Sequence, residues 1–310
     1  MLHMTRRTFA SAAVALGLTL AAGAVQAADL TIPHASGETT LPAVPQKLFV
    51  YDLAALDILD ALGVPVAGVP TGNKPAYLEE YAGGKVLEIG SFFEPNYETV
   101  NAEEPDLVIV GGRSAAKYAE LSRMVPTIDL TVPAEKYVEG TRDNTLLLGR
   151  LFGKEAEAAA LVEKLDASIA ALRTTAANAD PGLLVLTTGG KMSAYGPGSR
   201  FGVIHDSFGV PPAAPHLQIG NHGQPISHEF ILETNPDWLF VIDRDAGIGR
   251  DGQAAQQFLD NDIVRRTTAW QKGQVVYLNP MTWYLVGTGI QAAQQNVDAI
   301  AAALAGARTQ

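Results

Sequence analysis

The sequence predicts an α/β fold with two Rossmann-like lobes joined by a single long helix. Three observations lead to this prediction. Short, continuously apolar segments alternate with helical patterns, one unusually long helical pattern lies near the middle, and the two halves share sequence patterns. Continuous apolarity is typical of strands that are covered on both faces, as in the sheets of α/β proteins. The 310 residues suffice for two domains of ordinary size.

The first 28 residues read as a signal peptide. Arg6 and Arg7 precede a small, apolar stretch, and "AVQA", which ends at Ala27, resembles a cleavage site. The segment "TRRTFA" also resembles a twin-arginine signal, so two export routes remain open. The stretch is too short to span a membrane stably. We therefore expect the signal to be cleaved and the mature protein to be soluble, monomeric and periplasmic.

The composition excludes several classes of partner and site. The chain has no cysteine, which excludes disulfides, thiolate metal sites and a lipid anchor on an N-terminal cysteine. Its formal net charge is -11, and loss of Arg6 and Arg7 with the signal makes the charge more negative. Nucleic acids and anionic lipid surfaces repel such a protein. We expect no nucleic-acid partner, and arginines at the ends of apolar strands stand out against this acidic background.

Five segments read as buried strands because each is apolar over nearly its whole length. Helical patterns lie between them, for example at residues 53–63, where Gly63 closes the pattern. The strands are predicted at residues 47–52, 106–112, 183–190, 238–243 and 275–280.

The longest helical pattern predicts a connector between the lobes. Gly149 and Gly153 are expected to end one helix, and the next helix follows at once. We assign residues 29–150 to the N-terminal lobe, 151–178 to the linker helix and 179–310 to the C-terminal lobe. Apolar residues at three- and four-residue spacing predict the buried face of the linker. These residues are Ala160, Leu161, Leu165, Ile169 and Leu172.

Two pairs of matching segments indicate a duplicated lobe. In "EEPDLVIVGGRSA" and "NPDWLFVIDRD" an arginine follows a Pro-Asp strand at the same distance, giving Arg113 and Arg244 at an offset of 131 residues. Two helical patterns also end in Gly-Val-Pro, at Pro65 and Pro211, at an offset of 146 residues. A duplication with one insertion explains both offsets, whereas chance similarity of helix ends remains the alternative.

The two strand-end arginines predict a site for an anion. Ligands of open α/β sheets bind beyond the carboxyl ends of the strands, and a guanidinium matches planar oxygen anions. The alternative for Arg244 is a salt bridge with Asp243 or Asp245, which flank it. A third arginine, Arg200, follows a Gly-Pro-Gly turn and precedes a helical pattern. Helix N-termini attract anions, so we add Arg200 to the predicted site.

Two loops carry further candidates. His222 lies in a glycine-rich loop, where a side chain can point into a cleft, although a loop histidine can also be structural or solvated. His228 stands at a predicted helix start and can be a cap or a surface residue. Trp283 and Tyr284 follow the last predicted strand, again at its carboxyl end, where aromatic residues can also belong to the core.

These segments together resemble the periplasmic binding proteins of iron-siderophore ABC transporters, and in particular those for ferric catecholates. The resemblance rests on "PDLVIVGGR", "GPGSRFGVIHDSFGV", "NHGQPISHEFILETNPDWLFVIDR" and "YLNPMTWYLVGTGI", and it extends from about residue 48 to the C-terminus. It implies two lobes on one long helix, limited closure on the ligand, and an inner-membrane ABC permease as partner. It implies no enzymatic activity and no intrinsic cofactor.

The resemblance also implies roles for single residues. Arg113, Arg200 and Arg244 would line a positive cleft for the anionic complex, with Trp283 beside the ligand. His222 and Tyr284 would bind iron directly when the siderophore supplies only four donors. This agrees with ligand chemistry, because iron(III) is a hard ion that favours six donors, and phenolate oxygen with imidazole nitrogen completes the set.

Other functions remain open. A haem or corrinoid binding protein of the same fold would need a larger apolar pocket. A direct Zn²⁺ or Mn²⁺ site could use His222, His228 and a carboxylate, although a nearby guanidinium repels a metal ion. An enzyme is not expected, because the sequence has no Gly-x-Ser-x-Gly motif and its glycine spacing does not match a dinucleotide loop.

Overall fold

The computed structural model describes residue 1 and residues 29–306. In this part of the chain the strands are β1 (Leu30–His34), β2 (Gly37–Leu41), β3 (Leu48–Val50), β4 (Gly68–Val69), β5 (Leu87–Glu88), β6 (Leu107–Val110), β7 (Thr127–Asp129), β8 (Gly182–Thr188), β9 (Lys191–Tyr195), β10 (Gln224–Ile226), β11 (Trp238–Asp243) and β12 (Val275–Leu278). The α-helices are α1 (Leu53–Ala61), α2 (Tyr97–Glu103), α3 (Tyr118–Leu121), α4 (Tyr137–Leu151), α5 (Glu155–Ala176), α6 (Val203–Asp206), α7 (His228–Thr234), α8 (Arg244–Gly247), α9 (Ala255–Leu259), α10 (Thr268–Gln271) and α11 (Ile290–Gly306). Short 3₁₀ helices cover Ala76–Tyr81, Ala115–Lys117, Ala134–Lys136 and Val264–Arg266, and a π-helical turn covers Met281–Val286.

Each lobe is built on a five-stranded sheet. The N-terminal sheet has the order β5-β4-β3-β6-β7 and is parallel throughout. The C-terminal sheet has the order β10-β9-β8-β11-β12, in which β8, β11 and β12 are parallel and β9 is antiparallel to both of its neighbours. The five predicted strands are present as β3, β6, β8, β11 and β12, and the predicted fold class is confirmed.

The start of the described chain forms a hairpin that the sequence analysis does not predict. Strands β1 and β2 pair antiparallel, and the turn between them contacts β7 of the N-terminal lobe. The Ala35 N–H donates to the Asp129 carbonyl at 2.9 Å, and the Ser36 hydroxyl donates to the Asp129 carboxylate at 2.6 Å. The predicted signal peptide lies outside the described residues. No described helix is long and apolar enough to cross a bilayer.

The internal repeat extends to backbone detail. Helices α2 and α7 each have seven residues, and each ends on a residue in the left-handed conformation. These residues are Glu104 and Asn235, both with φ 43°, and in the described chain no other residue except glycine has a positive φ. Proline follows each, as is common after such helix ends.

The two copies also occupy matching places in their sheets. Strands β6 and β11 each stand fourth in the order of their sheet. The N–H of Asp106 donates to the Lys47 carbonyl at 2.9 Å, and the N–H of Asp237 donates to the Pro181 carbonyl at 3.0 Å. Since the acceptors immediately precede β3 and β8, the two Pro-Asp turns join matching strands. The structure therefore supports duplication of a lobe.

The difference between the two offsets has a visible source. In the first lobe β3 leads directly into α1, whereas in the second β8 leads into the β8–β9 hairpin before α6 is reached. Helices α1 and α6 are then both followed by a left-handed glycine, Gly63 with φ 67° and Gly209 with φ 84°. The β8–β9 hairpin accounts for the larger offset at Pro211, and the offset falls again because the stretch from Pro211 to Pro236 is shorter than the stretch from Pro65 to Pro105. The two offsets therefore need an insertion and a later shortening, rather than the single insertion that is predicted.

Helix α5 spans most of the predicted linker, and its buried face differs slightly from the prediction. Leu165, Ile169 and Leu172 are buried as expected, but Ala160 is exposed and Ala158 is buried instead. Gly149 does not end the preceding helix; it lies inside α4, which continues to Leu151. The assigned boundaries of the lobes stay a prediction.

Gly149 has a packing role that the sequence analysis misses. A β-carbon added there would lie 2.4 Å from the β-carbon of Ala158, so α4 and α5 are too close for a side chain at this position. Although alanine favours helices more than glycine, Gly149→Ala is expected to lower the free energy of unfolding by about 1–3 kcal/mol. Denaturant unfolding measures this. Gly306→Ala is the control, because an added methyl meets nothing within 4 Å there, and an equal loss would contradict the argument.

Helix α11, the last element of the described chain, packs against helices of the first half of the chain. It packs against α1, α4 and α5. The buried carboxylate of Asp57, on α1, accepts hydrogen bonds from the backbone N–H of Gln291 at 2.8 Å and of Ala292 at 3.0 Å. The Tyr77 hydroxyl donates to the same carboxylate at 2.6 Å, and the Gln291 amide donates to Asp60 at 2.7 Å. Asp57, on α1, therefore caps the N-terminus of α11 across a long stretch of sequence.

Candidate functional site

The carboxyl ends of two matching strands deliver two of the predicted arginines. After β6 the chain turns through Gly112, whose φ of 45° favours glycine, and reaches Arg113. After β11, Arg244 is the first residue of α8, and the preceding Asp243 caps that helix. The repeat therefore places one arginine at the same edge of each sheet.

Arg113 and Arg200 meet at the π-helical turn that follows β12. Arg113 donates to the Tyr284 carbonyl at 2.7 Å and to the Leu285 carbonyl at 3.0 Å. Arg200 donates to the same Tyr284 carbonyl at 3.0 Å. The carbonyls at the end of a helical turn lack partners within the turn, so they are natural acceptors for guanidinium groups. One backbone oxygen thus joins arginines from the two lobes.

Arg244 approaches the other end of the same tyrosine. Its Nε donates to the Tyr284 hydroxyl at 2.8 Å, and its Nη1 donates to the Thr188 hydroxyl at 3.1 Å. The guanidinium carbons of Arg113, Arg200 and Arg244 lie 5.2, 4.5 and 5.4 Å from the centre of the Tyr284 ring. The structure therefore brings together these three residues, which we call the cleft arginines, around one phenol.

Nearby acids neutralise this charge only in part. Asp243 is occupied by the backbone N–H groups of Ala246 at 3.1 Å and Ala255 at 2.8 Å. Asp245 lies 3.6 Å from Nη1 of Arg244 and also accepts from Thr188. Within the described chain, neither of the other two cleft arginines has a carboxylate within salt-bridge distance. The salt-bridge alternative therefore applies only to Arg244 with Asp245, and the cluster keeps a positive excess.

This excess changes the acidity of the central phenol. Burial alone would raise the pKa of Tyr284, but the hydrogen bond from Arg244 and the charges of the cleft arginines outweigh burial and lower that pKa. Burial, and then the neighbouring charge of Arg200, lower the pKa of Arg113. Cations held this close to each other and partly out of water are favourable sites for an anion.

His222 lies on an exposed loop beside this cluster. The loop packs on the turn that precedes Arg200: Ile219 lies over Gly198, and a β-carbon added at Gly223 would be 2.7 Å from the Ala194 carbonyl. The His222 side chain is exposed, and no hydrogen bond joins it to the described residues. The structure thus brings the loop, but not the imidazole itself, into contact with the cluster's supporting turn.

His228 is separate from the cluster. It begins α7, its ring lies 4.7 Å from that of Phe258, and its buried Nε2 has no partner among the described residues. In residues 29–306 no group of three His, Cys, Asp or Glu side chains could hold a metal ion. A direct Zn²⁺ or Mn²⁺ site at His222 and His228 is therefore not supported.

Trp283, which is predicted to lie beside the ligand, is a buried residue. It is 4% exposed, and its ring packs edge-on against Phe208 at 6.2 Å between centroids. The neighbouring Tyr284 is the residue of this turn whose ring faces the cleft arginines, and the contact of Trp283 with a ligand stays a prediction. The alternative reading of Trp283 as a core residue agrees with the structure.

Two features of the site are missed by the sequence analysis. Thr188 orients Arg244 through its hydroxyl, and Asp245 holds Thr188 and the Gly189 N–H at 2.9 and 2.6 Å. The only available signal is the Thr-Thr-Gly-Gly end of a predicted strand. The use of main-chain carbonyls as arginine acceptors leaves no sequence signal at all.

Comparison with known proteins agrees with this geometry. The family model described as "Periplasmic binding protein" matches residues 48–282. The petrobactin-binding protein YclQ of Bacillus subtilis is 39% identical over 274 residues, which cover 87% of this chain and 86% of that protein. Its crystal structure has a TM-score of 0.85 at 38% identity and covers 89% of this chain and 98% of that chain.

Two further relatives are similar over comparable lengths. The ferric-anguibactin-binding protein FatB of Vibrio anguillarum is 32% identical and covers 87% of this chain and 86% of that protein. The crystal structure of the periplasmic catecholate-siderophore binding protein VctP of Vibrio cholerae has a TM-score of 0.83 at 34% identity, and covers 88% of this chain and 99% of that chain. The chain therefore belongs to the periplasmic binding protein family, whose members bind substrates for transport and are not enzymes, as the sequence predicts.

Proposed function

We propose that this protein captures an anionic ferric catecholate complex between its lobes and delivers it to an inner-membrane ABC permease. The observation that carries the proposal is the convergence of three arginines on one tyrosine, whereas among the described residues one carboxylate, that of Asp245, lies within salt-bridge distance of them. Iron(III) bound by doubly deprotonated catechols remains an anion, so such a complex matches this charge. YclQ is a petrobactin-binding protein, FatB is a ferric-anguibactin-binding protein and VctP is a catecholate-siderophore binding protein, and these three relatives support the same class of ligand.

The proposed function places this protein in the periplasm. We propose that residues 1–28 are cleaved on export and that the mature chain is a soluble, periplasmic monomer without a lipid anchor. The family is one of periplasmic binding proteins, which supports the compartment. The resident site needs no cofactor of its own, because iron arrives as part of the ligand.

Tyr284 and His222 are proposed as direct iron ligands when the siderophore is tetradentate. A phenol whose pKa is lowered by neighbouring cations gives up its proton to a ferric ion more readily. The exposed loop of His222 leaves its imidazole free to turn towards the cleft. A hexadentate complex offers no vacancy, so it would be held by the cleft arginines through charge alone.

The proposal is tested by titrating the mature protein with a ferric bis-catecholate and following tryptophan fluorescence. Trp283 adjoins Tyr284 in sequence, so iron bound at the phenol is expected to quench it. A ferric hydroxamate, haem and Zn²⁺ are titrated in parallel. Tight binding of the catecholate alone supports the proposal. Binding of haem or bare metal without the catecholate would contradict it.

The two proposed iron ligands make a separate prediction. His222→Ala and Tyr284→Phe are each expected to weaken a ferric bis-catecholate about tenfold or more, because each removes one of six donors. A ferric tris-catecholate should bind these variants nearly as well as the parent protein. His216→Ala, in the same exposed loop, and Tyr277→Phe, at an exposed phenol, are the matched controls. Equal losses for both ligands would contradict direct coordination.

A further inference from the structure

The turn that carries Tyr284 has an unusual backbone. It is π-helical over Met281–Val286, and the Gly287 N–H donates to the Thr282 carbonyl five residues back at 3.0 Å. π-helical turns are rare and are often found at functional sites, because the extra residue redirects the side chains and carbonyls around it. Such a turn needs support from its surroundings to keep one geometry.

Buried polar groups hold this turn at both ends. At its start, the Thr282 hydroxyl donates to Oδ1 of Asn296 at 2.7 Å, and Nδ2 of Asn296 is 3.3 Å from the Thr282 carbonyl. Just after its end, the Tyr137 hydroxyl donates to the Gly287 carbonyl at 2.8 Å. Nδ2 of Asn296 also lies 3.3 Å from the Tyr137 hydroxyl, so one amide on α11 links the two ends.

The network is costly unless its members remain paired. Thr282 and Asn296 are each 1% exposed, and Asn296 stands among the buried apolar residues of α11. Burying an amide or hydroxyl is unfavourable unless each polar atom finds a partner. An apolar residue would pack on this helix face without that requirement. Packing alone therefore does not explain an asparagine at this position, whereas its hydrogen bonds to the two ends of the turn do.

Tyr284 lies between the two ends of this network. Its carbonyl and its hydroxyl face different cleft arginines, so a rotation of the turn would break contacts at both. We propose that Asn296, Thr282 and Tyr137 are positioning residues, which hold the π-helical turn so that Tyr284 faces the cleft arginines. The expected effect on ligand affinity rests on the proposed function, whereas the expected effect on geometry does not.

The first test is a crystal structure of ligand-free Thr282→Val. This change keeps the shape of the side chain, removes the donor to Asn296 and releases the start of the turn. We expect the Tyr284 hydroxyl to leave hydrogen-bond range of Arg244 Nε. Thr282→Ser restores the hydroxyl and should restore the contact. Thr145→Val is the control, because this buried threonine bonds only a carbonyl of its own helix. An unchanged cluster in Thr282→Val overturns the inference, whether or not any ligand binds.

The second test is a double-mutant cycle with a ferric bis-catecholate. Thr282→Val is expected to weaken binding on the order of tenfold in the parent protein and far less in a Tyr284→Phe background, because both changes act through one hydroxyl. A structural effect alone would give equal losses in both backgrounds and would overturn the positioning role. Should Thr282→Val fail to fold, Tyr137→Phe releases the other end of the turn and is expected to act in the same direction. Absence of catecholate binding in the parent protein would reject the proposed function and leave the crystallographic test decisive for the inference.

Discussion

Replacement of all three cleft arginines by methionine is expected to weaken binding of a ferric catecholate by about a thousandfold or more. Hydrogen bonds to charged groups each contribute about 1.5–3 kcal/mol, and three such groups surround Tyr284. Methionine keeps much of the aliphatic volume, so the loss reports mainly on charge. Each single replacement is expected to weaken binding about tenfold to a hundredfold, without strict additivity.

The same variant should remain folded. The guanidinium groups repel one another, and the charge of Arg200 contributes to the lowered pKa of Arg113. Removing them relieves that repulsion, although the hydrogen bonds to the turn carbonyls are lost. Thermal unfolding of the variant shows whether weaker binding results from loss of the arginines or from destabilisation of the fold. Arg265→Met is the control, because Arg265 pairs with Asp260 at 2.6 Å on the exposed surface. Unchanged affinity in the triple variant would reject the arginine cluster as the binding site.

Selectivity gives a further measure of the same effect. The parent protein is expected to favour an anionic ferric catecholate over an uncharged ferric hydroxamate of similar size. The triple variant should lose most of this preference, because charge is what distinguishes the two complexes. High salt should reduce the parent protein's preference for the anionic complex only modestly. The cleft arginines are partly buried, and salt screens buried charges less than exposed ones.

The second large effect is expected at Asp57, on helix α1. Asp57→Ala removes the acceptor for two backbone N–H groups at the start of α11 and for the Tyr77 hydroxyl. Buried donors left without partners cost about 1–3 kcal/mol each, so the free energy of unfolding is expected to fall by at least about 3 kcal/mol. Asp57→Asn keeps an acceptor oxygen and should cost less. Denaturant unfolding measures both variants.

Asp57 also makes stability depend on pH. Burial raises the pKa of Asp57 to about 7, against the hydrogen bonds from Tyr77, Gln291 and Ala292, while the nearby charge of Asp60 raises it further. The unfolded chain releases this proton near pH 4. Between about pH 4 and pH 7 the folded state therefore holds a proton that the unfolded state has lost, and stability falls as pH rises. The contribution is complete below pH 4 and absent above pH 7.

The matched measurement is the difference between the parent protein and Asp57→Asn. Other carboxylates affect both proteins alike, so the difference isolates Asp57. The parent protein is expected to lose up to about 4 kcal/mol relative to the variant between pH 4 and pH 7. Tyr77 and Tyr137 also face this carboxylate, but they stay protonated in this range, because burial raises the pKa of each. If the difference in stability stays constant across this range, the pKa of Asp57 is the same in the folded and unfolded states, which would contradict the prediction.

The sequence predicts the fold well where a single physical signal dominates. Strands covered on both faces are apolar throughout, so β3, β6, β8, β11 and β12 could be recognised from composition alone. The two-residue strands β4 and β5 and the β9–β10 edge carry no such signal. Gly149 illustrates another gap: glycine is read as a helix end, although here it allows two helices to approach closely.

The site was predictable to the extent that it follows from the repeat. Arg113 and Arg244 share a position after matching strands, so their convergence could be inferred from spacing. Arg200 follows an antiparallel hairpin and precedes a helix of only four residues, so its contact with Tyr284 depends on tertiary structure. Trp283 is buried in the core whereas its neighbour Tyr284 faces the arginines, and no local sequence pattern reveals the π-helical turn that directs the two rings apart.

The cap that Asp57 provides to α11 also bears on how the chain reaches its native state. The capped N–H of Gln291 lies 234 residues beyond the carboxylate that binds it. During synthesis, helix α1 therefore cannot contact α11 until all the residues between them have been added to the chain. Contacts of such long sequence separation form late and slow the folding of a chain. Complete folding of the first lobe is therefore expected to require α11, because a fragment that stops before α11 leaves the Asp57 carboxylate without its two backbone partners.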